Sequence, residues 1–138
     1  MPEKERLISL LKDAVGEMDL LEQMSAGIKT PDDFVTSLSG LTVFRACGMS
    51  LQYITEIFVK IRNLYGKEFF APYNAVPWNA VFGMRNFLSH EYGNLDAEAF
   101  FDTIKNNIPS LLSVTRSMLG DVEADKFRAL ISQSSVRQ

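Results

Sequence analysis

FRACGMSLQYITEIFVKIRNLY, residues 44–65, is the stretch on which the fold turns. Its large apolar positions, Phe44, Cys47, Leu51, Ile54, Phe58, Ile61 and Tyr65, alternate in steps of three and four. A helix collects such positions on one face, whereas a strand would scatter them over two. A seam sustained this long belongs to the inside of a helical bundle or to a face where helices of two copies meet. It is far better explained by packing than by a cofactor site. Gly66 closes the helix, a common role for a residue without a Cβ.

Upstream, Leu7, Leu11, Ala14, Met18 and Leu21 line one face of a first helix, which Gly27 breaks. Thr30-Pro31-Asp32-Asp33 combines a capping hydroxyl, a proline at the first helical position and acids in the first turn. It predicts a short helix that carries Phe34 and Leu38 and stops near Gly40. Downstream, Lys67 to Pro77 reads as a connecting loop, and Phe69, Phe70, Tyr73 and Trp78 read as packing aromatics rather than a base-stacking platform. Pro77 opens a helix running through Trp78 toward His90, and Gly93-Asn94 ends that region. Asp96 caps the next helix, with Phe100, Ile104, Ile108, Leu111, Thr115 and Met118 on its buried face, and Pro109 should kink or divide it. Asp121 reads as the cap of a last short helix ending near Ile131. No segment alternates as a strand. The expected fold is all-α, a bundle of four long helices with short additional helices. Residues 1–131 form one domain and 132–138 a polar, frayed tail.

Composition fits that reading. A chain of 138 residues with 46% hydrophobic positions suits one packed core. It has no apolar run of roughly 18 residues and no secretion-signal pattern at Met1-Pro2-Glu3-Lys4-Glu5-Arg6. Its single cysteine excludes an internal disulfide and a cysteine-based zinc site within one chain. A cytoplasmic protein without a membrane partner is expected. The net charge of −3 argues against a broad basic face for nucleic acid, so any such substrate should meet a local pocket.

The chemistry concentrates in Arg85-Asn86-Phe87-Leu88-Ser89-His90-Glu91-Tyr92. His90 is the one histidine, and histidine is the side chain whose ordinary pKa lies near neutrality. Arg85 offers a permanent cation with a fork of N–H donors suited to phosphate. On a helical wheel, Val81, Met84 and Leu88 form the core side, flanked by Ala80 and Phe87. Asn79, Gly83, Asn86 and His90 form a second stripe roughly opposite. Residues five apart are turned by about 140°, so Arg85 and His90 do not share a face of a regular helix. Three arrangements reconcile them: the helix loosens, the arginine swings round, or two copies face each other and bring two histidines into one cleft. The last arrangement supplies both a proton acceptor and a proton donor. Against these stand plainer roles: a lone histidine near a helix end is commonly a capping residue, Arg85 a partner for Glu91, and Tyr92 an amphipathic rim residue. The chain has no convincing carboxylate spacing for a metal, no phosphate-binding glycine loop and no serine elbow.

Val76-Pro77-Trp78, Gly83-Met84-Arg85-Asn86, His90-Glu91-Tyr92 and Leu95-Asp96 together resemble the signature of the HEPN superfamily. The similarity is to its HepT-like branch, the toxins of prokaryotic HEPN/MNT toxin–antitoxin pairs. Ile108-Pro109-Ser110-Leu111-Leu112 resembles that branch's closing helix, while residues 1–65 agree mainly in helix order and length. The resemblance implies a helical homodimer with the motif at the subunit cleft. It implies an endoribonuclease needing neither metal nor other cofactor. His90 would be general acid or base at the RNA 2′-hydroxyl and leaving oxygen, Arg85 would hold the scissile phosphate, and Asn86 would orient phosphate or histidine. Tyr92 would be adenylylated by a cognate MNT-type nucleotidyltransferase antitoxin, which blocks RNA by charge and bulk. The alternative is a non-catalytic HEPN module that binds a nucleotidyltransferase or a nucleotide.

Overall fold

The structure, a computed structural model, describes residues 3–88 and 96–137, with backbone alone for 85–88 and 135–137. Helix α1 spans Glu3–Met24, α2 Leu38–Tyr65, α3 Trp78–Leu88, α4 Ala97–Asp102, α5 Ile108–Glu123 and α6 Arg128–Arg137. No strand occurs among the described residues. The fold is all-α, as the periodicities require. No helix among the described residues is long and apolar enough to cross a membrane.

Helix α2 is the centre. It packs on α1, α3 and α6, and α1 in turn packs on α5 and α6. All seven residues of the α2 seam are buried within one chain, as are Leu7, Leu11, Ala14, Met18 and Leu21 of α1. Intramolecular packing thus decides between the two meanings of that seam: it is a bundle core. Full burial of one large apolar side chain is worth roughly 1.5–3 kcal/mol. Losing a few of these would erase much of a net stability of ~5–15 kcal/mol. Cys47 lies inside the seam, fully buried. Burial pushes its thiol up to about 11, although Lys105 pulls the other way.

Two boundaries differ from the sequence expectation, and at Pro109 the expected division takes a particular form. The short helix after Thr30 is a single 3-10 turn, Pro31–Phe34, and Leu38 to Gly40 already belong to α2. Ser37 is the true cap and accepts from the Gly40 amide at 2.9 Å. Gly40 therefore does not stop a helix. It lets the 3-10 turn lie against α2, since a Cβ there would collide with the Asp33 carbonyl. Next, Pro109 divides its helix through a π turn, Thr103–Asn107, set between α4 and α5. A prolyl ring clashes with the carbonyl four residues back, and a widened turn relieves that clash. Lys105 anchors the π turn by donating to the Ser25 carbonyl at 2.8 Å.

Finally, Asp121 lies in the last turns of α5 and caps no following helix. The chain turns at Asp125, whose φ of 62° is in the left-handed region, and α6 runs on to Arg137, beyond Ile131. The sequence predicts a last short helix, and polar composition hides its turns beyond Ile131. Ser134 is fully buried and donates to the Leu64 carbonyl at 2.7 Å. That carbonyl is among those the end of α2 leaves without a helical partner.

Two glycine substitutions separate packing from propensity. Gly16→Ala in α1, where an added Cβ meets nothing within 4 Å, is expected to stabilise by about 0.5–1 kcal/mol. Gly40→Ala carries the same helical gain but should destabilise overall, because overpacking costs about 1–3 kcal/mol. Urea denaturation of both variants checks the opposite signs.

Candidate functional site

Helix α3 carries the Arg85-Asn86 motif, and aromatic packing sets its position. Phe70 lies at the centre of the cluster. Its ring centroid is 4.6 Å from Trp78, 5.2 Å from Phe82 and 5.3 Å from Phe69. Phe58 of α2 meets Trp78 at 5.5 Å. The segment expected to be a loop thus holds two 3-10 turns, Lys67–Phe69 and Ala71–Tyr73, and buries Phe69 and Phe70. These aromatics are core, as anticipated, and not a platform for stacking bases.

Two hydrogen bonds tie this cluster to its neighbours. The Trp78 indole donates to the Tyr73 carbonyl at 2.9 Å, closing the turn ahead of α3. The Tyr73 hydroxyl donates to Asp121 at 2.6 Å, fastening that turn to α5. Burial, then donation to Asp121, pushes the Tyr73 phenol up. The Asp121 carboxyl is held below its ordinary value, first by Tyr73 and then by Lys126.

On α3 itself Val81 and Met84 face the core, as the wheel requires. Phe82 is buried too, and the Arg62 guanidinium lies over its ring at 4.6 Å. Neither residue stands out in the heptad pattern, although Phe82 sits one turn beyond Trp78, the spacing at which helical aromatics meet. Asn79 is exposed, and Gly83 leaves open space where a side chain would be. Arg85 and Asn86 fall on the last turn of α3. Their side chains, and residues 89–95 with His90 and Tyr92, lie outside the described residues.

Beside the preceding turns of α3 runs a groove of about 430 Å³. Ala80, Gly83 and Met84 form its α3 wall, and Thr103, Asn107 and Ser110 line the opposite side. None of the described lining residues is charged. Pro109 announces a break in the helix from sequence, but the π turn that places Thr103 and Asn107 along a groove is a tertiary outcome. Among the described residues no three His, Cys, Asp or Glu side chains could jointly hold a metal ion.

Comparison with known proteins matches residues 16–118 to the family model described as Ribonuclease HepT-like. The chain is 32% identical over 109 residues to a protein of Caldanaerobacter subterraneus subsp. tengcongensis named "Putative RNase", covering 79% of this chain and 90% of that protein. A Methanocaldococcus jannaschii protein of the same descriptive name is 28% identical over 109 residues, 78% of this chain and 87% of its own. A "Probable ribonuclease HepT" of Thermococcus cleftensis is 29% identical over 101 residues, 73% of this chain and 84% of its own. No solved structure is significantly similar.

The Tyr73–Asp121 bond makes a pH-dependent prediction. A lowered folded-state carboxyl contributes stability above its unfolded value near 3.8 and loses it as pH falls through the folded value. Tyr73→Phe should cost about 1 kcal/mol at neutral pH, and the gap from wild type should close below pH 3.8. Thermal unfolding across that range checks it. The family model covers the seam helix, the aromatic cluster and the motif-bearing α3 in one span, so the chain belongs to the Ribonuclease HepT-like family.

Proposed function

We propose that this protein is a metal-independent endoribonuclease toxin that works as a homodimer and is neutralised by an MNT-type nucleotidyltransferase antitoxin. The observation that carries the reading is the placement of Arg85-Asn86 on the last turn of α3, with His90 and Tyr92 following in the same motif, in a chain of this family. The motif supplies one histidine per chain. A two-fold cleft then supplies one imidazole to accept a proton and another to donate one.

In this mechanism one His90 takes the proton of the RNA 2′-hydroxyl. The resulting oxygen nucleophile attacks the adjacent phosphorus. The P–O bond to the 5′-oxygen breaks, that oxygen is protonated by the partner's His90, and a 2′,3′-cyclic phosphate remains. Arg85 neutralises charge gathering on the non-bridging oxygens, and Asn86 orients the phosphate or the imidazole. Adenylylation of Tyr92 places a phosphate and a nucleoside beside this cleft. The added negative charge repels RNA and the added bulk occludes it.

Purified protein should cleave RNA in EDTA, and His90→Ala should lower kcat by about 10²–10⁴-fold. Loss of cleavage in EDTA, or normal cleavage by His90→Ala, would reject the mechanism. Mass spectrometry after incubation with ATP and the antitoxin should find one added AMP on wild type and none on Tyr92→Phe. A pure protein that binds the antitoxin and cuts no RNA would establish the non-catalytic module instead.

A further inference from the structure

We infer that the groove between α3 and the π turn receives one base of the RNA, from the nucleotide next to the phosphate held by Arg85. This rests on the ribonuclease reading and extends it to substrate selection. The first support is position. Gly83 and Met84 line the groove, and Arg85 and Asn86 are the next two residues of the same helix. One helical turn advances only about 5.4 Å, so a nucleotide can span from the end of α3 into the groove.

The second support is chemistry. A base has apolar faces and a polar edge, and this groove offers both apolar and polar lining. Val81, Met84, Ile108 and Leu111 supply buried hydrocarbon and sulfur. Thr103, Asn107 and Ser110 line it with two hydroxyls and an amide, groups able both to donate and to accept. Recognition of unstacked RNA bases uses this combination of face contact and edge hydrogen bonds. The Ser110 hydroxyl is only loosely engaged, reaching the Asn106 carbonyl at 3.5 Å.

Size and charge narrow the occupant further. A volume of about 430 Å³ is within the roughly 300–1,000 Å³ of small-ligand pockets. The described lining, Thr103, Asn107 and Ser110 with apolar neighbours, carries no charge and suits a neutral base. A Cβ added at Gly83 would meet no described atom within 4 Å, so that part of the wall is open.

The test is cleavage-site profiling on a randomised RNA pool with the full-length protein. Wild type should favour a particular base at one position flanking the cut. Asn107→Ala should reduce that preference about tenfold, by raising KM for the favoured base while leaving kcat and the other bases nearly unchanged. Gly83→Val, which fills the open part of the wall, should flatten the preference in the same way. A merely structural role would lower cleavage at all bases together. An unaltered preference in both variants overturns the groove and leaves the nuclease reading intact. So does a Gly83→Val variant whose only change is from dimer to monomer, because the groove then seats a second copy. If wild type cuts no RNA, the nuclease reading fails by itself. The groove is then decided by NMR titration of His90→Ala with the four nucleoside 5′-monophosphates. Amide shifts at Gly83, Thr103 and Asn107 sustain it, and their absence overturns it.

Discussion

Helix α2 touches α1, α3 and α6, and withdrawing its seam from water fixes where all three can lie. A seam spaced at three and four can be covered by one partner helix. Helix α2 also buries Ser50, Thr55 and Ile57 off that seam, so helices close over it from more than one side and make a bundle. Small polar contacts then complete it. Tyr65, the last seam residue, donates to the Glu3 carboxylate at 3.1 Å and the Glu3 carbonyl at 3.3 Å, which ties the end of α2 to the start of α1.

Two aromatic clusters divide the length of α2 between them. Toward its start, Phe44 stacks on Phe34 at 4.9 Å and meets Phe100 edge-on at 4.6 Å, which locates α4. Toward its end, Phe58 joins Trp78, Phe70 and Phe82 and locates α3. The segment with His90 and Tyr92 joins these two helices. The helices on either side of it are therefore placed by packing of rings onto one long helix.

Where expectation and structure part, the cause is a long-range contact that a local signal imitates. Gly40 looks like a helix stop because glycine often follows a helix. It is instead a gap into which the Asp33 carbonyl fits. Asp121 looks like a cap because aspartate often precedes a helix. It instead receives a hydrogen bond from Tyr73, 48 positions away in sequence. Residues 132–137 look like a frayed tail, but Ser134 finds a carbonyl that α2 leaves open. The short-range rules behind these expectations are sound, and each is overruled by a partner that folding brings near.

Sequence by itself determined the helical class, the core faces of α1 and α2 and the motif by which the family resemblance is read. Those features follow from periods of three and four and from residue identities at fixed spacing, which need no partner to be read. Tertiary structure alone decided that the α2 seam is an internal core, that Phe82 carries Arg62, and that Thr103 and Asn107 share a groove with Gly83. A groove exists only between elements, and the distance between α3 and the π turn is the sum of packing choices made along the whole chain.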